Sequence, residues 1–167
     1  VQMIVERALN SYFESSKASS GGLIVADAKT GKVLGSASRP SFDPNIKDIK
    51  NYMDPLVSTA FEPGSTYKPF TVAAGLEEGI LKGNETYYCD GYQKVGPHTI
   101  HCSHRSGHGL ITLSQSISLS CNDALMQIAA KEGKNVFARY QKNFNFGNKT
   151  GIDLPGEAQT ASLLHDA

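Results

Sequence analysis

The junction at residues 61–69 constrains this chain more than any other stretch. Phe61-Glu62-Pro63-Gly64 closes a segment without periodicity, and Ser65 opens one in which Phe70, Ala73, Ala74 and Leu76 recur at helical intervals. Pro63-Gly64 gives a tight entry that exposes Ser65, and Pro69 falls in the first helical turn, where its missing N–H costs nothing. The spacing predicts a helix over 65–79, with Gly79 as its C-terminal stop. Ser65 and Lys68 then share one helical face, their Cβ atoms about 5–6 Å apart.

Around that junction the chain alternates short elements. Apolar residues at Val1, Ile4, Val5, Ala8, Leu9, Tyr12 and Phe13 predict an amphipathic helix ending near Ser16. Leu23–Ala26 and Lys32–Ser38 read as two strands joined through Ala28-Lys29-Thr30-Gly31, a hairpin. Arg39–Asn51 reads as a surface loop, and Glu85–Gly109 as a loop with a small hairpin about Gly96-Pro97. Thr112 is a fair N-cap for a helix containing Leu113, Ser116 and Ile117, and further helices are expected over 122–131 and 135–143. Sixteen basic residues balance sixteen acidic ones with no block of either sign, so nothing in the charge invites nucleic acid or an anionic membrane surface.

Ser65-Thr66-Tyr67-Lys68 points to nucleophilic chemistry. A serine hydroxyl attacks poorly until a base takes its proton, and a neutral lysine amine one turn on can do so. Bringing a lysine down to about 7–8 needs roughly 4 kcal/mol of environmental bias, of which a helix N-terminus supplies at most about 2. Burial must supply the rest. Ser120-Cys121-Asn122, between two predicted helices, places a hydroxyl and an amide where both can face one cleft: Ser120 to relay a proton, Asn122 to hold a substrate amide and contact Lys68. Taken alone, that triplet reads better as an N-cap serine with an incidental asparagine.

In this order, 55 residues apart, the two motifs resemble those of the serine penicillin-recognising enzymes. The likeness extends to residues 22–34 as an opening hairpin, to Arg39-Pro40-Ser41-Phe42-Asp43-Pro44-Asn45 after it, to Phe61–Pro69, to Gly107-His108-Gly109, and to Gly151-Ile152-Asp153-Leu154-Pro155-Gly156-Glu157. The chain is thereby identified as resembling class B penicillin-binding proteins, of a Firmicutes cell-division or sporulation type. The resemblance implies an α/β (α+β) beta-lactamase/transpeptidase-like fold, a helical part plus a partial antiparallel sheet. It implies catalytic roles for Ser65, Lys68, Ser120 and Asn122, a peptidoglycan stem peptide as substrate, beta-lactams as acylating ligands and no cofactor. It also implies a place at the extracytoplasmic face of the bacterial cell membrane. A serine beta-lactamase and a non-catalytic beta-lactam sensor are the alternatives.

Lys149-Thr150-Gly151 matches the letters of the family's third motif, but Pro155-Gly156 halts any strand after three residues, so it is read as part of the Thr-Gly-Ile-Asp-Leu-Pro-Gly-Glu segment. Residues 1–167 are therefore expected to be a partial transpeptidase domain without its C-terminal strands or true KTG motif, nearly inactive and prone to self-associate along the exposed hairpin edge. His98, His101, Cys102, His104 and His108 invite a zinc reading. Their spacing matches no common site and no second Cys pair closes a tetrahedron, so no metal is expected; the histidines read as exposed loop residues, and His108 as structural beside a glycine turn. Cys102–Cys121 or Cys89–Cys102 can pair as a disulfide, or all three cysteines can be free thiols. Glu157 resembles a hydrolytic base but sits in a segment that the family carries as structure.

Overall fold

The computed structural model describes residues 1–46, 49 and 52–164. Positions 47, 48, 50 and 51 of the loop expected over 39–51 lie outside the described residues. The chain divides into two units, 1–60 with 149–158, and 61–148 with 159–167.

In the first unit, α1 (Gln2–Ser15) packs Val5 and Leu9 on a hairpin of β1 (Gly21–Ala26) and β2 (Val33–Arg39). The antiparallel register runs from Gly21↔Arg39 to Ala26↔Val33. Asp27 turns the corner: its Oδ1 accepts from Lys29 N, Thr30 N and Thr30 Oγ1 at 2.8–3.0 Å, an Asx turn that Gly31 completes at φ 70°. On the outer edge of β2 the Gln2 amide imitates a strand, donating to Ser36 O at 2.7 Å and accepting from Ser36 N at 3.0 Å. A four-residue helix, α2 (Pro55–Ser58), is capped by Asp54 and sets Leu56 against β1, where a side chain in place of Gly22 would meet Leu56 Cδ2 at 2.2 Å.

The second unit holds α3 (Lys68–Glu77), β3 (Thr86–Cys89), β4 (Tyr92–Val95), β5 (His98–His101), β6 (Gly109–Thr112), α4 (Leu113–Ser118) and α5 (Asn122–Asn143). Two sequence expectations need correction. Ser65 lies on a 3₁₀ turn, Gly64–Tyr67, ahead of α3 rather than within one continuous helix. The expected loop over 85–109 contains β3, which pairs antiparallel with β6 (Tyr87↔Ile111, Cys89↔Gly109) and encloses the β4–β5 hairpin turned at Gly96-Pro97. The two helices expected over 122–131 and 135–143 are both present within α5, parted at Gly133, whose φ 77°, ψ 160° no helix accommodates.

Leu81, Tyr87, Cys89, Cys102, Ile111, Leu113, Cys121, Ala124, Leu125 and Ile128 make the core of this unit. α3 and α5 meet where Gly75 leaves room: a Cβ there would lie 2.7 Å from both Glu132 Oε1 and Leu81 Cδ1. Glu132 is 6% exposed, and neither of its carboxylate oxygens has a hydrogen-bond partner among the described residues. Desolvation raises its pKa from 4.5 to about 7. The folded state therefore holds this proton more tightly than the unfolded chain, so stability falls as pH rises from 4.5 through about 7. Glu132→Gln is expected to leave stability at pH 4 nearly unchanged and to raise it at pH 8 by roughly 1–3 kcal/mol, read by denaturant melts across that range.

Candidate active site

The turn carrying Ser65 is held from one side by aromatic rings. Tyr67 sits 5.6 Å from Phe70, 5.5 Å from Phe137 and 5.2 Å from Phe146, centroid to centroid. Such pairs contribute about 0.5–1.5 kcal/mol each beyond the area they bury. Residues three apart on a 3₁₀ turn eclipse one another, which sets Ser65 and Lys68 on a common side. Pro63 and Gly64, the latter at φ 58°, make the entry, and Pro69 begins α3 where no N–H is needed. Ser65 is exposed.

Lys68 reaches across to the α4–α5 connection. Its Nζ donates to Ser120 O at 2.6 Å, to Ser120 Oγ at 2.9 Å and to Asn122 Oδ1 at 2.7 Å. The structure thus brings Lys68, Ser120 and Asn122 together across 52 to 54 residues of sequence. The Lys68 backbone N–H donates to Ser65 O, but no hydrogen bond joins the two side chains among the described residues, since the three bonds of Lys68 Nζ go elsewhere. Three acceptors fit the three N–H groups of an ammonium. A neutral amine has two N–H groups and a lone pair, and of the three partners only the Ser120 hydroxyl can donate to that lone pair. Loss of the Lys68 proton therefore reverses the Ser120 bond and keeps the other two.

Burial lowers the Lys68 pKa from 10.5, while charge on Cys102 and Cys121 works in the opposite direction. Asn122 is oriented at both ends of its amide: Oδ1 faces Lys68, and Nδ2 donates to His101 O at 3.1 Å. That backbone acceptor at the end of β5 had no signal in the sequence.

The connection itself is tightly built. Thr112 and Gln115 form a reciprocal capping box at the start of α4. Ser120 N and Cys121 N bond back to Ile117 O and Ser116 O, both at 2.9 Å, and Ser120 takes φ 49°, sparsely populated for a residue with a Cβ. Cys121 caps α5, its Sγ accepting from Ala124 N at 3.5 Å. Next to it, the fully buried Asp123 carboxylate accepts from Asp90 N, Gln93 Nε2 and Gln127 Nε2, binding the β3–β4 connection to the head of α5.

The other candidates fall elsewhere. Lys149-Thr150-Gly151 lies in irregular backbone of the first unit, where Thr150 N and Oγ1 both donate to Glu157 Oε1, at 2.6 and 2.7 Å. Those bonds lower the Glu157 pKa. His98, His101 and His104 are exposed, as read from the sequence, but His108 is half-buried. The spacing of cysteines and histidines predicted no ligand cluster, yet the fold makes one. Cys89, Cys102, His108 and Cys121 place their ligand atoms within 4.8 Å of one another, because strand pairing gathers what the sequence scatters. All three cysteines are free and buried.

Residues 21–163 match the family described as the penicillin binding protein transpeptidase domain. The chain is 39% identical over 164 residues to Stage V sporulation protein D of Bacillus subtilis, covering 94% of this chain and 25% of that protein. It is 31% identical over 156 residues to the peptidoglycan D,D-transpeptidase MrdA of Acinetobacter baumannii, covering 83% and 23%. The crystal structure of a peptidoglycan glycosyltransferase from Burkholderia ambifaria superposes with a TM-score of 0.82 at 26% identity, covering 95% of this chain and 46% of that one. The chain spans about a quarter of the length of the curated relatives it matches.

Lys68 is expected to titrate below the ordinary 10.5, measured on its Cε resonance. Asn122→Asp sets a carboxylate against Nζ, stabilises the ammonium and should raise that pKa by about 1 unit or more. An unmoved titration would show that Asn122 does not face the amine in solution.

Proposed function

The chain belongs to the penicillin-binding protein transpeptidase domain family, and from that membership we propose that Ser65 is the acylated nucleophile of a peptidoglycan D,D-transpeptidase. The observation that carries the assignment is the contact of Lys68 Nζ with Ser120 Oγ at 2.9 Å and Asn122 Oδ1 at 2.7 Å.

Ser65 Oγ attacks the carbonyl of the D-Ala-D-Ala bond of a stem peptide while neutral Lys68, its lone pair released as the Ser120 hydroxyl turns away, takes the Ser65 proton. The bond from that carbonyl to the terminal D-Ala nitrogen breaks, and the proton passes from Lys68 through Ser120 to the departing amine. An amine of a second stem peptide then attacks the acyl carbonyl, the bond from that carbonyl to Ser65 Oγ breaks, and the proton lost by the amine returns along the same pair to Ser65 Oγ. The reversible Lys68–Ser120 bond suits this two-way traffic. Asn122, locked by His101 O, is placed to hold the substrate amide. A beta-lactam acylates the same serine, and its acyl group persists for want of a dedicated hydrolytic base; Glu157, which resembles one, belongs to a structural segment in which Thr150 donates to it twice.

Similarity to Stage V sporulation protein D and to the peptidoglycan D,D-transpeptidase MrdA supports a role in peptidoglycan synthesis during sporulation, and a peptidoglycan substrate would set that work at the extracytoplasmic face of the cell membrane. No described helix is long and apolar enough to cross a membrane. Residues 1–167 taken alone are proposed to be a partial transpeptidase domain that acylates poorly: their one Lys-Thr-Gly is not on a strand, and one missing oxyanion donor costs about 2.7–4 kcal/mol. Ile24, Val33 and Leu34 are exposed on the hairpin, and its unpaired edge is proposed to drive self-association of that piece.

In the protein that carries this chain, benzylpenicillin is expected to leave one stable acyl group on the peptide containing Ser65, seen by intact and peptide mass. Ser65→Ala should abolish it, and Lys68→Ala should slow its formation about 10²–10⁴-fold. Rapid loss of the adduct with nitrocefin turnover would identify a beta-lactamase instead, and an adduct that survives Ser65→Ala would remove the assignment.

A further inference from the structure

Three buried thiols around one half-buried imidazole have no part in acyl transfer. Cys102 Sγ lies 3.9 Å from Cys121 Sγ, and His108 Nδ1 lies 3.6 Å from Cys89 Sγ and 3.7 Å from Cys102 Sγ. All four ligand atoms fall within 4.8 Å of one another. A regular tetrahedron with zinc–sulfur bonds of about 2.3 Å and a zinc–nitrogen bond of about 2.0–2.1 Å has edges of about 3.8 Å between sulfurs and about 3.6 Å from sulfur to nitrogen. Three of the six separations, 3.9, 3.6 and 3.7 Å, already stand close to those edges, and the others lie within 4.8 Å.

We propose that Cys89, Cys102, His108 and Cys121 bind one zinc ion, in a closed four-ligand site that fixes the Ser120–Asn122 connection.

Two further observations support a built site over a chance packing of thiols. The backbone is folded to bring the ligands together: Gly91 and Gly107, at φ 99° and 80°, let two loops interlock where a Cβ would meet Arg105 O at 2.2 Å and Cys89 O at 2.3 Å. Cys102 N donates to Gly91 O at 2.8 Å within the same interlock. The sulfurs also receive backbone N–H groups. Those of His104, Asn122 and Asp123 are directed at Cys102, and that of Ala124 at Cys121. Such donors stabilise the thiolates that a metal needs, as outer hydrogen bonds do in zinc sites generally.

Three thiolates and one imidazole favour zinc over harder cations, and four protein ligands leave no position for water. The ion is therefore structural: it releases the thiol protons on binding and joins the end of β3, the segment after β5, the turn before β6 and the head of α5. Cys121 is the middle residue of Ser120-Cys121-Asn122, so the ion grips the connection from which Lys68 is held.

The protein that carries this chain, isolated with reductant and without added chelator, should contain one zinc per chain by elemental mass spectrometry. Exchange with cobalt should give thiolate charge-transfer and tetrahedral d–d bands. Cys89→Ser and His108→Ala should each weaken zinc retention by at least about tenfold against a chromogenic chelator. His98→Ala, on an exposed hairpin, should leave it unchanged. Failure of the reduced wild-type protein to take up zinc or cobalt overturns the proposal whether or not a variant folds. Iron in place of zinc overturns it as well, and so does equal retention in all three variants.

Discussion

A lysine held by three oxygens from one short connection is the contact on which the second unit is organised. A buried ammonium is costly unless every N–H is matched, and Lys68 matches all three on Ser120 and Asn122. The match is long-range, so it forms only when α3 and α5 are correctly seated. Their seating depends on the notch at Gly75, which admits Leu81 and Glu132, and on Tyr67, which pins the turn before α3 to rings from beyond the Gly133 break. The buried, unpartnered Glu132 carboxylate is a cost accepted at that seam. A neutral residue would pack there without it, so the seam is not built for maximum stability.

The same geometry separates positions from protonation states. Positions are fixed by features indifferent to Lys68's charge: the capping box at Thr112, the backbone bonds closing α4, and the His101 carbonyl that turns the Asn122 amide. Only the Ser120 hydroxyl is free to exchange donor and acceptor roles. A proton can therefore leave Lys68 with one hydroxyl rotation and no movement of heavy atoms, which keeps the reorganisation cost of transfer low.

What was legible in the sequence followed from local physics. The α1 stripe, the hairpin with its Gly31 turn and the Thr112 cap are each set by residues within a few positions, and each stands where the spacing puts it. So does the Lys68–Asn122 approach, legible because two family motifs occur in order. β3 was missed because Tyr87 and Tyr88 are both aromatic while facing opposite ways, buried and exposed, so no alternation shows over four residues. Its partner lies 23 residues further on. The 3₁₀ turn was missed because Pro63, Gly64 and Pro69 mark a boundary without specifying which helix type bridges it. The break at Gly133 was legible, since the expected helices over 122–131 and 135–143 leave it between them.

The cysteine–histidine cluster escaped for a related reason, and its position bears on the catalytic connection. Spacings of 13, 6 and 13 residues match no short metal motif, because each ligand comes from the end of a different element. The interlocked glycines, Gly91 and Gly107, were the available clue: close backbone approach is what they permit, and it is what delivers His108 to Cys89. Cys121 then has three simultaneous duties, as N-cap of α5, as a wall of the cluster, and as the residue between Ser120 and Asn122. Ser120 at φ 49° is held in a sparsely populated conformation on one side of it, and an unstrained alternative would swing the hydroxyl away from Lys68. Anything that anchors Cys121 opposes that relaxation. The buried cluster and the contacts of Lys68 are thus two faces of one turn, and the stiffness of the first sets how well the second keep their shape.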